Sequence, residues 1–168
     1  MLIRDCAAGD IEILERHMPT WDGQVHANLF AQQQAGLWTY LVAWKEGSAP
    51  VGVCVIRWDD SAEEEPEASA TWPRLTNLHV HPTHRGRGVG TALIEAAEER
   101  AGGRGFRRLG ISVADDNPEA ARLYARLGYA DSGRRHESKY MYPDDSGAVV
   151  ERVEHDILLV KALGGGSP

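Results

Sequence analysis

The segment Leu78-His79-Val80-His81-Pro82-Thr83-His84-Arg85-Gly86-Arg87-Gly88-Val89-Gly90-Thr91 constrains the fold more than any other part of the sequence. Its first residues read as a strand, and Pro82 ends the extended run. From Val89 onward the apolar residues Val89, Ala92, Leu93, Ala96 and Ala97 fall on one helical face, with Glu95, Glu98 and Glu99 elsewhere. A strand therefore runs through a glycine-dense loop into a helix. A helix N-terminus offers unpaired N–H groups and the positive end of the dipole. Glycines let the backbone take positive φ and approach a ligand closely. With Arg85 and Arg87 beside them, these groups form an anion cradle suited to a phosphate or pyrophosphate.

Other phosphate loops fit poorly. A Walker loop needs Gly-Lys-Ser/Thr, which is absent, and the dinucleotide fingerprint needs glycine where Thr91 stands. Here Gly86, Gly88 and Gly90 follow a G-x-G-x-G spacing.

The elements around this loop can be read in order. Met1–Cys6 reads as a strand. Asp10 is placed to cap a helix through His17, which Pro19 stops. A second helix spans about Asp22 to Ala35, with a thin apolar face of Val25, Leu29 and Trp21. Its crowd of amides and His26 fits either the lining of a substrate cleft or an ordinary half-exposed helix. Leu37–Lys45 and Pro50–Trp58 form a hairpin about a turn at Glu46–Ala49. The acidic run Asp59–Glu67 reads as a solvated loop or as a rim that attracts cations. Trp72–His81 is the next strand, the helix Val89–Ala101 ends at Gly102-Gly103, and Arg107–Val113 is a strand. Asn117 caps a short helix with Pro118 at its first position and Gly128 after its end. Tyr129 onward returns to a strand, residues 144–147 turn, and Val153–Leu163 is the last strand. The order β-α-α-β-β-β-α-β-α-β-β predicts one mixed sheet with helices on both faces: a single domain over residues 1–163, followed by a flexible tail at 164–168.

Composition narrows the class. A chain of 168 residues with 42% hydrophobic and 26% charged residues suits one globular domain. No apolar run reaches the roughly 20 residues that span a bilayer, and the N-terminus lacks a signal-peptide core, so we expect a soluble cytoplasmic protein. The net charge of -7 disfavours nucleic acid and mildly favours a cationic acceptor. Two cysteines, Cys6 and Cys54, make neither a disulfide framework nor a zinc-ligand pattern.

The glycine loop resembles motif A of the GNAT superfamily of N-acetyltransferases, whose loop reads R/Q-x-x-G-x-G/A, and Leu78-His79-Val80-His81-Pro82 is similar to the strand end before it. Asn117-Pro118-Glu119-Ala120-Ala121-Arg122-Leu123-Tyr124-Ala125-Arg126-Leu127-Gly128-Tyr129 resembles motif B. The resemblance is sharp over Leu75–Tyr129. It implies a three-layer α/β/α fold with a mostly antiparallel sheet, splayed between the two motif strands. It implies acetyl-CoA as donor and a primary amine as acceptor, supplied by a small molecule, a protein N-terminus or a lysine. By that resemblance Arg85, Gly86, Arg87, Gly88, Val89, Gly90 and Thr91 hold the pyrophosphate. The backbone of Leu78, His79 and Val80 lies along the pantetheine arm. Asn117 contacts CoA, and Tyr124 protonates the departing thiolate. Each of the last two has a plainer reading, as a helix cap and as a core tyrosine. Many relatives are dimers, and the five tryptophans offer interface candidates.

Some members of that family place a glutamate on the motif A strand, four residues before the valine. Here Thr76 stands there, followed by Asn77. A base must take the proton of the amine, and the sequence leaves four routes open: His79, a water relay through Thr76 or Asn77, Glu137 or Tyr140 on the late strand, or positioning alone. Strict alternation would put His79 on the same face as Asn77 and His81. A noncatalytic acyl-CoA-binding module is the alternative to an enzyme.

Overall fold

A computed structural model of the protein describes residues 1–46, 49–58 and 72–164, apart from the side chain of Ser138. The centre of the turn expected at Glu46–Ala49, the acidic run at 59–67 and most of the expected tail lie outside the described residues. The chain forms two compact units, one of residues 1–109 with the chain from Ala162 onward, the other of Gly110–Lys161. Mixed α/β elements appear in the order read from the sequence.

In the first unit, strands β1 (Leu2–Asp5), β2 (Trp38–Trp44), β3 (Pro50–Arg57) and β4 (Arg74–Val80) lie side by side, each antiparallel to the next. The helices are α1 (Ile11–His17), α2 (Val25–Gln34) and α3 (Val89–Gly103). Alternation along β2 and β3 sorts their apolar residues onto two faces. Tyr40, Val42, Trp44, Val53 and Val55 form one face and pack with Leu14, Met18 and Leu29 of the α1–α2 layer. Leu41, Cys54 and Ile56 form the other, fully buried face, which α3 covers with Leu93, Ile94 and Ala97, themselves fully buried. Both faces are apolar, so β2 and β3 read as continuous hydrophobic runs.

α3 approaches β3 closely because position 52 is glycine. A Cβ there would lie 2.9 Å from Val89 Cγ1 and 3.0 Å from Leu93 Cδ1. The first turn of α3, and with it the glycine loop, is thereby seated on the middle of the sheet.

The β3–β4 ladder is not regular. Its register steps from Val53 opposite His79 to Val55 opposite Thr76, so Asn77 and Leu78 together face Cys54. This is a β-bulge. Asn77 carries it at φ 53°, the only positive φ outside glycine among the described residues.

The second unit holds most of β5 (Arg108–Ala114), α4 (Pro118–Arg126), β6 (Ala130–Pro143) and most of β7 (Val149–Ala162), with strand order β5-β7-β6. Asn117 caps α4, its Oδ1 accepting the Ala120 N–H at 3.1 Å. β6 and β7 form an antiparallel ribbon of 14 residues per strand.

Several boundaries differ from those read in the sequence. α2 begins at Val25 rather than Asp22, whose carboxylate instead accepts the Gln24 N–H at 2.9 Å. Asp10 makes no cap bond to α1; it closes a 3-10 turn at Ala8–Asp10 by accepting the Ala7 N–H at 2.7 Å and binds Arg4 at 2.6 and 2.9 Å. Trp21 is half exposed and adds nothing to the α2 face, whereas His26 and Leu29 are buried. α3 continues through Gly102-Gly103, its end closed by Arg104 N–H bonds to the Arg100 and Ala101 carbonyls. β7 starts at Val149 rather than Val153, because its ladder with β6 carries the polar residues Glu151 and Arg152 into the strand.

Candidate active site

The glycine loop has the geometry of an anion cradle. Gly86 and Gly88 sit at φ 70° and 81°, a left-handed backbone that L side chains rarely adopt. Gly88 is the N-cap of α3, and no side chain caps that end. The first turn also contains no acidic residue. The first intrahelical bond runs from Ala92 N–H to Gly88 C=O, so the amides of Val89, Gly90 and Thr91 lie ahead of the helical ladder. A Cβ at either Gly86 or Gly88 would meet no described residue within 4 Å. Arg85 is tied down by Nε donating to Val80 C=O at 3.1 Å, which holds its guanidinium beside the loop. Uncapped amides, a 15-residue helix dipole and two arginines fit a pyrophosphate.

His81 and His84 serve the turn before the loop. His81 Nδ1 accepts the Thr83 N–H at 3.3 Å and lies 2.8 Å from Thr83 Oγ1, and His84 Nδ1 lies 2.9 Å from the same hydroxyl. These rings shape the 3-10 turn at Pro82–His84.

The backbone of β4 carries a further polar group near the loop. His81 N–H bonds Val51 C=O at 2.9 Å, in register with Val80 opposite Gly52. Bonded and non-bonded pairs alternate in an antiparallel ladder, so the Val80 amide and carbonyl point away from β3. The carbonyl is the one that accepts from Arg85.

The bulge at Asn77 corrects the face assignment for the candidate base. His79 lies opposite Val53 and Thr76 opposite Val55, both of the α1–α2 face. His79 therefore shares a face with Thr76 rather than with Asn77, because the extra residue breaks the period of two. The Thr76 hydroxyl is a buried oxygen with no hydrogen-bond partner among the described residues, an expensive state unless a water or ligand reaches it. His79 is exposed at its edge, but partial burial and then the charge of Arg85 hold its pKa below the ordinary 6.5. It is thus mostly neutral at pH 7 and able to accept a proton.

His26 contributes a buried polar link that the sequence reading did not single out. It is 4% exposed, with Nε2 at 2.7 Å from Met18 C=O and Nδ1 at 2.5 Å from the hydroxyl of the fully buried Tyr40. A carbonyl can only accept, so Nε2 carries the proton and Tyr40 O–H donates to Nδ1. This ties α2 to β2 on the same face of the sheet as Thr76 and His79. The mixture of amides around His26 hid it, since nothing in the spacing of α2 marks it as internal.

In the second unit, Tyr124 is 6% exposed on α4, edge-on to Tyr129 at 6.4 Å between ring centroids. Asn117 is exposed, and its side-chain oxygen is engaged in capping α4. Of the late-strand candidates, Tyr140 donates to Glu154 Oε1 at 2.6 Å, and Glu137 lies 3.3 Å from Lys139 Nζ and 3.8 Å from His155 Nδ1. Both are surface groups of the ribbon. The two cysteines are buried, and burial pushes the Cys6 thiol up to about 12, so neither is a ready nucleophile. Among the described residues no three His, Cys, Asp or Glu side chains are grouped to hold a metal ion, and no helix is long and apolar enough to cross a membrane.

The model of the acetyltransferase (GNAT) family matches residues 11–129. Among solved structures, the chain is similar to the ribosomal-protein-alanine N-acetyltransferase of Brucella melitensis, with 20% identity, TM-score 0.67, and coverage of 97% of this chain and 100% of that one. It is similar to yncA of Salmonella typhimurium, solved with acetyl-CoA, with 15% identity, TM-score 0.68, and coverage of 100% and 96%. It is also similar to NAA60 of Arabidopsis thaliana, solved with a bisubstrate analogue, with 19% identity, TM-score 0.67, and coverage of 98% and 99%. These likenesses concern the fold, whereas the family match spans the anion cradle and both sequence motifs. The chain belongs to the GNAT family of acetyltransferases.

Proposed function

We propose that the protein transfers an acetyl group from acetyl-CoA to a primary amine, carried by a small molecule, a protein N-terminus or a lysine. The observation that carries this reading is the uncapped N-terminus of α3 behind Gly86 and Gly88, flanked by Arg85 and Arg87. In this reading the amides of Gly88, Val89, Gly90 and Thr91 bind the pyrophosphate, and the Val80 N–H receives the pantetheine arm. The neutral amine attacks the thioester carbon, the C–S bond breaks, and the amine loses one proton while the thiolate gains one. Motif B assigns the thiolate's proton to Tyr124. The amine's proton leaves on the α1–α2 face, through a water held by the Thr76 hydroxyl toward His79. Both groups share that face, and the lowered His79 pKa keeps its imidazole ready at neutral pH. Asn117 caps α4, and its amide nitrogen is the group left to meet the donor.

The relative from Brucella melitensis is named for an alanine acceptor on a ribosomal protein, which makes protein N-termini a natural first set. The net charge of -7 favours a cationic acceptor of any size. The test is release of free CoA thiol from acetyl-CoA across a panel of polyamines, amino sugars, and peptides with free N-termini. Turnover with one class assigns the acceptor. Tight acetyl-CoA binding without turnover on any amine would replace this reading with an acyl-CoA-binding module.

A further inference from the structure

At β1 the first unit holds a groove that the anion cradle does not use. β1 sets Leu2 opposite Trp44 and Arg4 opposite Val42, so both side chains belong to the α1–α2 face. The helical layer stops short of them: Leu2 is 59% exposed, and Ile13 of α1 is only partly buried. The result is a groove of about 560 Å³ with Leu2, Ile13 and Trp44 as its apolar walls, and Arg4, Asp10, Lys45 and Glu46 as its polar groups. Small-molecule sites run from about 300 to 1,000 Å³. α3 packs on the opposite face of the same sheet, so the sheet itself separates this groove from the glycine loop.

The groove has hydrogen-bond donors to spare. A guanidinium carries five N–H bonds, and Arg4 spends three of them. Its Nη1 donates to Asp10 Oδ2 at 2.6 Å and to Asp5 C=O at 3.0 Å, and its Nη2 donates to Asp10 Oδ1 at 2.9 Å. Asp10 thus occupies the end of the fork. The Nε–H and the second Nη2–H point the same way along the side of the guanidinium, and neither has an acceptor among the described residues. The group lies 4.8 Å over the Trp44 ring, and the Arg4 side chain is 40% exposed. Trp44 is 7% exposed, and its Nε1 is a buried donor without a partner among the described residues, a costly state. The acceptor side is already spent: Asp10 takes two bonds from Arg4 and the Ala7 N–H at 2.7 Å. On the rim, exposed Lys45 balances exposed Glu46.

We propose that this groove binds a small carboxylate with an apolar body. Its two oxygens take the unoccupied side of the Arg4 fork, a bidentate geometry that arginine matches and lysine does not. Its hydrocarbon lies against Leu2 and Ile13. A cation would meet an acidic group whose lone pairs are engaged, and a neutral alcohol would satisfy only one of the waiting donors.

The probe is hydrocinnamate, with hydrocinnamyl alcohol and phenylpropylamine as neutral and cationic controls of the same body. Each is titrated into the isotope-labelled full chain while NMR follows the Trp44 indole N–H, assigned with Trp44→Phe. With about eleven heavy atoms the acid should bind with a Kd of about 1 mM, and both controls should bind at least about tenfold more weakly. Arg4→Lys keeps a cation beside Asp10 but lacks the side of the fork, and should weaken the acid at least about tenfold. Leu2→Glu, at an exposed position, puts a carboxylate on the apolar wall and should abolish binding. Thermal melts check that each variant folds, and Leu2→Glu keeps the test open if Arg4→Lys is unstable. Acetyl-CoA affinity should be the same in both variants and in the presence of the acid. No shift of the Trp44 resonance at about 10 mM acid, equal binding of the alcohol, full affinity in a folded variant, or displacement of the acid by acetyl-CoA would overturn the proposal.

Discussion

Gly52→Ala tests how the sheet seats the candidate site. The added methyl would lie 2.9 Å from Val89 Cγ1, 3.0 Å from Leu93 Cδ1 and 3.3 Å from His79 C=O. Comfortable carbon contacts are about 3.5–4.0 Å, so all three neighbours must yield. Val89 is 5% exposed and Leu93 fully buried, so neither side chain has solvent to retreat into. The third neighbour is the backbone of β4, which no rotamer change can move. Overpacking of this kind costs roughly 1–3 kcal/mol. Position 52 does not carry positive φ, so alanine also stiffens the unfolded chain and offsets about 0.4–1 kcal/mol. The net expectation is a loss of about 0–2.6 kcal/mol, or up to roughly 10 °C in Tm for a chain of this size.

Gly102→Ala is the internal control. It lies within α3, its Cβ would meet nothing within 4 Å, and its φ is not positive. That change should stabilise the helix by up to about 0.5–1 kcal/mol. Because Val89 opens α3, Gly52→Ala should also raise the acetyl-CoA Kd, whereas Gly102→Ala should leave it alone. Adding Val89→Ala to Gly52→Ala should recover part of the lost stability, giving a favourable coupling in the double-mutant cycle. Thermal melts and isothermal titration with acetyl-CoA read both effects. A double-mutant cycle without that favourable coupling, with a control that behaves as expected, would refute the tight seating of α3 on β3.

Other expectations concern single groups. Gly88→Glu puts a carboxylate and a strained left-handed backbone in the cradle, so acetyl-CoA affinity measured by titration should fall at least about tenfold. Tyr124→Phe keeps the ring packing against Tyr129, and if the hydroxyl is the acid, kcat should fall about 10²-fold or more at nearly unchanged acetyl-CoA Kd. His79 has a lowered pKa, so kcat/KM should drop as pH falls through a value below 6.5; His79→Gln should lower the rate and remove that limb of the pH profile. Asp10 has its pKa held below the usual value by Arg4, so the stability it contributes is present above about pH 4 and lost as pH falls through its folded pKa. In Asp10→Asn, denaturant midpoints should drop at pH 7 and show a shallower decline in acid.

The order of elements was legible because each carries a local signal. β2 and β3 are unbroken apolar runs, α3 has a clean stripe ending in glycines, and Asn117-Pro118 announces α4 before any packing is known. What was not legible depends on partners distant in sequence. Asp10 looks like a cap for α1, but Arg4 on the neighbouring strand draws its carboxylate away. The last strand reads as starting only at Val153, and the ladder with β6 is what extends it back to Val149 through Glu151 and Arg152. His26 looks like one more polar residue on α2 until Tyr40 and the Met18 carbonyl are seen to enclose it.

The candidate site divides along the same line. The cradle's shape was readable because it resides in the backbone, and glycine spacing before a helix records the positive φ that backbone takes. The proposed proton path was not readable, since it depends on which way β4 side chains face. The period of two fails at one residue, Asn77, where the chain takes a positive φ and inserts an extra position opposite Cys54. Asparagine tolerates that conformation better than most residues, but the letter alone does not announce a bulge. The consequence is large: without the bulge His79 and Thr76, three residues apart, would lie on opposite faces. With it, an imidazole biased toward its neutral form and a buried hydroxyl lacking a partner among the described residues face the same α1–α2 layer. A chain that lacks the family's strand carboxylate thus retains, on one face, the two kinds of group a water-mediated proton transfer needs.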